Sequence, residues 1–210
     1  MAFNFYKDAP PLKPIMRVPE HLRSFWSLDN EDFNYSDSHI WKWSCKHCRY
    51  AWEATMKIMS KRKDPCRICS ASTSKNERNM YYILMELKDE KVITNIEHQV
   101  YNQDAGFSDF KVTTTGGHTF MLEADGQQHF FPPYETTLFP YSLAYNKAQD
   151  RKRNTWWRKN KIPFLRISSS AACWKEEIKE FINRVEVSGE PCYDFIGVEY
   201  VSESQFELAL

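Results

Sequence analysis

Four cysteines in two tight pairs constrain this chain more than any other feature. Cys45-Lys-His-Cys48 and Cys66-Arg-Ile-Cys69 are C-x2-C pairs separated by seventeen residues. Each pair sets two thiolates on one turn, and two such turns complete a tetrahedral sulfur cage around Zn2+ at ~2.3 Å. Such sites space their pairs by about 15–20 residues. Isolated core cysteines would not fall in pairs twice, and a redox C-x-x-C motif needs no second copy. His47 lies inside the first pair and is a substitute ligand. A cage closed by four thiolates leaves no coordination position for substrate, so the expected zinc is structural. Cys173 and Cys192 stand apart and are expected as buried thiols.

Thiolate ligands require a reducing compartment. The first residues lack an apolar signal core, and no run of ~18 apolar residues exists to span a membrane. The chain is therefore expected to be intracellular, in cytoplasm or nucleus and not secreted, with no membrane partner. There, clustered cysteines imply metal before disulfide. The formal net charge of zero hides a cancellation. Residues 41–69 carry eight Lys/Arg against two acids, and 147–166 carry eight against one. Residues 185–210 carry six acids and no base. Local basic fields of this kind are what a phosphate backbone needs. An acidic tail can occupy such a groove as a phosphate mimic.

Periodicity organises the rest. Ser74 followed by Glu77 is a capping box, S-x-x-E. Met80, Ile83, Leu84 and Leu87 then repeat at helical spacing, so a helix is expected over 77–87. Strand-like pieces follow at 92–96, 108–113 and 119–124. Gly116-Gly117 makes a hairpin turn between the last two, and Asp125-Gly126 closes the third piece. Residues 132–145 read as a loop, 146–159 as a basic helix and 162–167 as a short apolar strand. An amphipathic helix is expected over 174–185 and a final strand over 195–201. This order is that of an α/β chain. The expected division is a flexible arm at 1–15, a zinc module at 16–72, an α/β domain at 73–185 and an acidic tail at 186–210.

Two stretches resemble known families. Pro19, Leu22, Trp26, Asn30, Trp43-Ser-Cys45, Cys48, Trp52 and Cys66-x-x-Cys69 resemble the small treble-clef, or zinc-ribbon, modules often fused to nucleases. Those modules usually carry Pro after the third cysteine, whereas here Pro65 precedes it. Phe107-Ser-Asp109-Phe110 and Phe120-Met-Leu-Glu123-Ala-Asp125-Gly126-Gln-Gln128-His129-Phe130 resemble the core of the PD-(D/E)XK nuclease superfamily, in its very-short-patch-repair-like branch. Asp150-x-x-Arg153, Trp156, Asn160, Ile162 and Arg166-Ile167 continue the likeness, with Arg153 where relatives often have Lys. The resemblance implies a restriction-endonuclease-like mixed sheet flanked by helices. It also implies a metal-dependent DNA endonuclease that nicks phosphodiester bonds; RNA as a substrate stays open.

The residues make chemical sense of that activity. Asp109, opening one strand, and Glu123, ending the next, converge as two hard oxygen ligands for Mg2+ or Mn2+. Asp125 stands where the superfamily pattern wants Lys, which leaves the general base unassigned by pattern. His129 is the candidate, because it titrates near neutrality. Gln128 can orient a water or phosphate, and the resemblance implies Glu77, on the preceding helix, as a further metal-facing acid. Lys152, Arg153, Arg158 and Arg166 are candidates for gripping the nucleic-acid backbone. The alternative is a catalytically inactive protein of nuclease fold that binds nucleic acid or a protein partner.

Overall fold

The computed structural model describes residues 18–27, 30, 39–131 and 143–201. The chain divides into two compact units, Met1–Thr73 and Ser74–Leu210. The arm expected at 1–15 lies outside the described residues.

In the first unit, Trp41 and Trp43 alternate with polar neighbours, so a strand buries both on one side. This strand, β1 (Ile40–Ser44), pairs antiparallel with β2 (Ala51–Thr55), placing Trp43 opposite Trp52. A 3-10 turn, Glu20–Phe25, precedes them. A short helix α1 (Met56–Met59) follows, capped where Thr55 Oγ1 accepts the Ile58 amide. The core is small: Val18, Leu22, Trp26, Trp41, Trp43, Met56 and Met59. Asn30 pins β1 by exchanging hydrogen bonds with the Lys42 backbone, at 2.8 and 3.0 Å.

The second unit is a mixed α/β layer structure. Helix α2 (Lys75–Asp89) starts as the capping box predicts, with Ser74 Oγ accepting the Glu77 amide at 3.0 Å. An antiparallel meander follows: β3 (Ile93–Asn102), β4 (Gly106–Thr114) and β5 (Thr119–Asp125). Helix α3 (Leu143–Lys159) leads to β6 (Phe164–Ser168), parallel to β5. Helix α4 (Trp174–Ser188) leads to β7 (Tyr193–Ile196), parallel to β6, and α5 (Val198–Val201) comes last. The sheet order is β3-β4-β5-β6-β7.

Both central strands are buried on two faces, as strands flanked by helices are. The two faces differ in chemistry. Phe120 packs on Phe181 of α4, ring centroids 5.2 Å apart. Met121 and Phe164 pack instead on Trp157 of α3. The two-residue period therefore puts Glu123, Asp125, Arg166 and Ser168 on the α3 side. Phe110 pairs with Leu122, so Asp109 falls beside Glu123 on that same side.

Several expected boundaries move. Helix α2 extends two residues beyond the expected span at each end. Strand β4 begins at Gly106, so Asp109 lies inside the strand rather than opening it. Strand β3 runs to Asn102 and forms a second hairpin with β4, which the sequence pieces did not indicate. Leu143, Ala144 and Tyr145, read as loop, belong to α3, while residues 132–142 lie outside the described residues. The expected strand over 195–201 is split: Gly197, at φ 138, breaks the chain direction between β7 and α5. As far as Val201, the stretch read as an acidic tail supplies the end of α4, β7 and α5; residues 202–210 lie outside the described residues. No helix among the described residues is long and apolar enough to cross a membrane.

Candidate functional site

The first unit gathers its cysteines into a cage. Cys45 Sγ and Cys69 Sγ are 3.8 Å apart, Cys48 Sγ and Cys66 Sγ 3.4 Å, and all four sulfurs lie within 4.8 Å of one another. Four sulfurs held tetrahedrally at ~2.3 Å from an ion stand about 3.8 Å apart, so the group can hold a metal such as zinc. The knuckles are shaped by backbone. Arg49 takes φ 62, a region usually left to glycine, and its amide donates to the Cys45 carbonyl at 2.8 Å. The Ser70 amide does the same for Cys66 at 3.0 Å. Hydrogen bonding from Cys48 lowers Cys66 to about 5, and the same bond, with burial, pushes the Cys48 thiol up. Burial likewise pushes Cys69 up to about 12, so Cys66 is the thiol that this arrangement favours as a thiolate. His47 is exposed and is not among the clustered ligands. Cys173 is exposed and Cys192 half-buried, against the expectation of buried thiols: Cys173 precedes the first turn of α4 and Cys192 lies just before β7, both at surface connections.

The second unit gathers Asp109, Glu123 and Asp125 on the α3 side of the sheet. Asp109 Oδ2 accepts the Ala124 amide at 3.0 Å. Burial, then the charges of Glu123 and Glu77, push its carboxyl well above the usual range. Glu123 is 2% exposed. Its Oε2 accepts from Arg153 Nη1 at 3.1 Å, while Oε1 is buried with no hydrogen-bond partner among the described residues. Burial raises Glu123 against the pull of Arg153 and Arg166. Arg153 Nε, Asn154 Nδ2 and Trp157 Nε1, all on α3, are likewise buried and unpartnered. Native interiors leave few such atoms without a water, an ion or a ligand to satisfy them. Glu77 Oε1 accepts from His98 Nε2 and Gln99 Nε2, each at 2.5 Å. Burial works against its ionisation, but these bonds hold it below the usual range. Gln99 reaches Glu77 from a left-handed backbone at φ 54, a conformation that costs a non-glycine residue roughly 1–3 kcal/mol and collects at functional sites.

Behind these acids lies an ionic network. Arg166 is fully buried and donates to Asp125 through Nε and Nη2, both at 2.7 Å, to Asp150 at 2.8 Å and to Asn154 at 3.2 Å. Arg153 joins Asp150 at 2.7 Å and the Phe107 carbonyl at 2.9 Å. Tyr200 on α5 donates a short hydrogen bond to Asp125. Removing one member of a buried ion network strands the others, at about 3–5 kcal/mol. Arg166→Met is expected to lose that much in urea unfolding of the second unit, and a loss below about 1 kcal/mol would show the network to be dispensable.

His129 Nδ1 lies 2.8 Å from Asp150 and 3.7 Å from Asp125. Burial alone would lower its pKa, but the charge of Asp125 and the bond to Asp150 raise it above the ordinary value. Its contribution to stability is then complete below about pH 6.5 and fades as pH climbs through the folded value. Asp150 is held far below the usual carboxylate range, overcoming its burial through Arg166 and His129. Its contribution is complete above about pH 4 and is lost on further acidification. His129→Ala is accordingly expected to destabilise the protein more at pH 6 than at pH 9 in urea titrations. Equal losses at both would mean that the imidazole is held neutral.

The residues expected to grip phosphate separate sharply. Lys152 is exposed. Arg153 is committed to Glu123 and Asp150. Arg158 lies over the rings of Phe164, Tyr193 and Phe195 at 5.7, 5.6 and 5.9 Å, with Nε and Nη2 enclosed. Arg166, at 0% exposure, presents no face to a phosphate, and its role is to hold Asp125 and Asp150. The exposed cations of this stretch are Arg151, Lys152, Lys159 and Lys161. Three of the described acids of the last segment are engaged within the second unit. Glu186 accepts the Gly116 amide, Asp194 pairs with Arg184, and Glu199 accepts from Ser168 and Ser170. Gln128 is half-buried, and Gly126 makes room for it, since a Cβ there would collide with its Oε1. His98, Gln99, Asn154 and Tyr200 were not anticipated as members of the site. Tyr200 lay inside a stretch read as an acidic tail with a final strand; the others carry no motif, and only register and helix face reveal them.

Comparison with protein-family models, with curated proteins and with solved structures finds no match for this chain.

Proposed function

We propose that this chain is a metal-dependent DNA endonuclease that nicks phosphodiester bonds on a restriction-endonuclease-like core of the PD-(D/E)XK kind. Its four-cysteine module holds a structural zinc and helps grip nucleic acid. The observation that carries this reading is Glu123, a buried carboxylate with one unpartnered oxygen, beside Asp109, whose own carboxyl is crowded by Glu123 and Glu77. Such a group asks for a proton or a cation. Magnesium keeps several waters and needs only one or two carboxylates, so Asp109 and Glu123, with Glu77 nearby, fit it without a third close ligand. When bound, the ion polarises the scissile phosphate and lowers the pKa of a water.

The chain's own residues then have distinct duties. His129, oriented by Asp150, carries a proton near neutral pH. Arg153 partly balances Glu123 and ties it to α3. Asp125 positions Arg166 and Tyr200 rather than reacting, since both of its oxygens are engaged. Arg151, Lys152, Lys159 and Lys161 grip the backbone in a salt-sensitive, largely sequence-blind manner. The order of helix, three-strand meander, helix and parallel strand supports the proposed core.

One observation favours the alternative, a protein of this fold that binds without cutting. Arg153 already occupies Glu123 Oε2, and no Lys stands at position 125. The test is nicking of supercoiled plasmid with Mg2+ or Mn2+ against EDTA. Metal-dependent nicking by the purified chain supports the endonuclease. Absence of nicking between pH 6 and 9, with retained DNA binding, overturns it in favour of the alternative.

A further inference from the structure

The first unit carries a cleft of about 300 Å3 beside the cysteine cage, walled by Phe25, Pro65 and three of the four cage cysteines and rimmed by Ser24, Lys46, His47 and Asp64. We propose that this cleft seats a single unstacked nucleotide of a nucleic-acid strand. The base would lie against Phe25 and Pro65, the phosphate at Lys46 and His47, and the base edge toward Asp64. The inference rests on the proposal that this module grips nucleic acid, and not on the carboxylate site.

Size, surface and charge agree on this occupant. Small-molecule clefts begin at roughly 300 Å3, so the space admits one nucleotide but neither a helix nor a hairpin. The floor is apolar and includes a half-buried aromatic ring, the kind of platform on which any base stacks. The polar groups are confined to the rim, and Lys46, His47 and Asp64 are all exposed. A rim with Ser24, Lys46 and His47 as donors and one carboxylate matches a nucleotide, which offers a phosphate to donors and an exocyclic amine to an acceptor. Residues 41–69, with eight Lys/Arg against two acids, supply a field that attracts a polyanion. The cage cysteines contribute wall rather than chemistry, because all four sulfurs face one another. A base can enter only when unpaired, so the preferred ligand is single-stranded. The carboxylate at Asp64 favours cytosine or adenine, whose amines it can accept, over thymine.

The experiment uses the full zinc-loaded chain carrying Asp109→Ala, without Mg2+, and labelled 12-nucleotide strands in fluorescence anisotropy. Oligo-dC and oligo-dA are expected to bind about 5- to 10-fold tighter than oligo-dT, and all three tighter than a duplex of the same length. The double variant Lys46→Ala/His47→Ala is expected to weaken binding about 10-fold and to flatten its salt dependence. Asp64→Asn is expected to erase the base preference while leaving oligo-dT binding intact. All three positions are exposed, so unchanged zinc content and tryptophan fluorescence confirm that each variant is folded. Unchanged affinity in the double variant overturns the proposal, as does equal binding of duplex and single strand. Equally tight binding of an acidic peptide by the wild type, lost in the double variant, would reassign the cleft to a protein partner. Because cleavage is absent throughout, failure here leaves the endonuclease assignment to the plasmid assay alone.

Discussion

Asp109→Asn is expected to abolish Mg2+-dependent nicking while making the metal-free protein more stable. The two halves of that result have one cause. Asp109 and Glu123 are neighbours across β4 and β5; Asp109 keeps its charge only against burial and the field of Glu123, and Glu123 only against burial and the charges of Asp125 and Asp150. The carboxyl of Asp109 is therefore raised, which means that ionising it above about pH 4 costs stability. An amide of the same shape can still accept the Ala124 amide hydrogen bond but carries no charge to repel Glu123 and Glu77. The melting temperature at pH 8, in EDTA, should rise. The activity should fall, since the lost charge is the one that a divalent ion would neutralise. Several kcal/mol of transition-state stabilisation correspond to roughly 10^3- to 10^4-fold in rate. Proton and cation compete for the same oxygens, so the Mg2+ concentration for half-maximal wild-type nicking should drop from pH 6 to pH 8. A variant that nicks at wild-type rate removes Asp109 from the site. One that loses activity by unfolding, with a lowered melting temperature, makes Asp109 a structural residue instead.

Much of this arrangement was legible in the amino-acid order, and the misses have physical reasons. The capping box located the start of α2, and Gly116-Gly117 located the turn between β4 and β5, because both depend on a few adjacent residues. The alternation along Phe120 to Asp125 places Glu123 and Asp125 on one face, but which face could not be read from the strand alone. That depended on Trp157 of α3 and Phe181 of α4 packing on opposite sides. Arg166 illustrates the limit. An arginine in a basic stretch resembles a phosphate ligand, yet parallel pairing of β6 with β5 sets it against Asp125 in the interior. Charge along the chain averages over residues that the fold sends to opposite ends of the polarity scale. The same averaging hid Tyr200, which sits among acids in sequence and reaches the buried carboxylate of Asp125 in space.

Stripping the ion proposed for the cysteine cage is expected to unfold the first unit and leave the second standing. Among the described residues the main hydrophobic cluster of that unit has seven buried members, too few to offset the conformational entropy of the chain around it. The apparent binding free energy of a four-ligand zinc site at neutral pH is about 10–16 kcal/mol, and in a module of this size it is folding free energy. Trp26, Trp41, Trp43 and Trp52 report directly, because the first three are buried there and Trp52 packs against them. Incubation with a strong chelator, or Cys66→Ser, should shift tryptophan emission to the red as these rings meet water. Far-ultraviolet circular dichroism should retain the helical signal of α2, α3 and α4, which belong to the other unit. Cys173→Ser, at an exposed cysteine outside the cage, should do neither. Restoring zinc should reverse the emission shift in the chelated wild type but not in Cys66→Ser. If metal analysis shows the ion gone and the emission stays where it was, the hydrophobic cluster holds by itself and the cage is not what folds this unit.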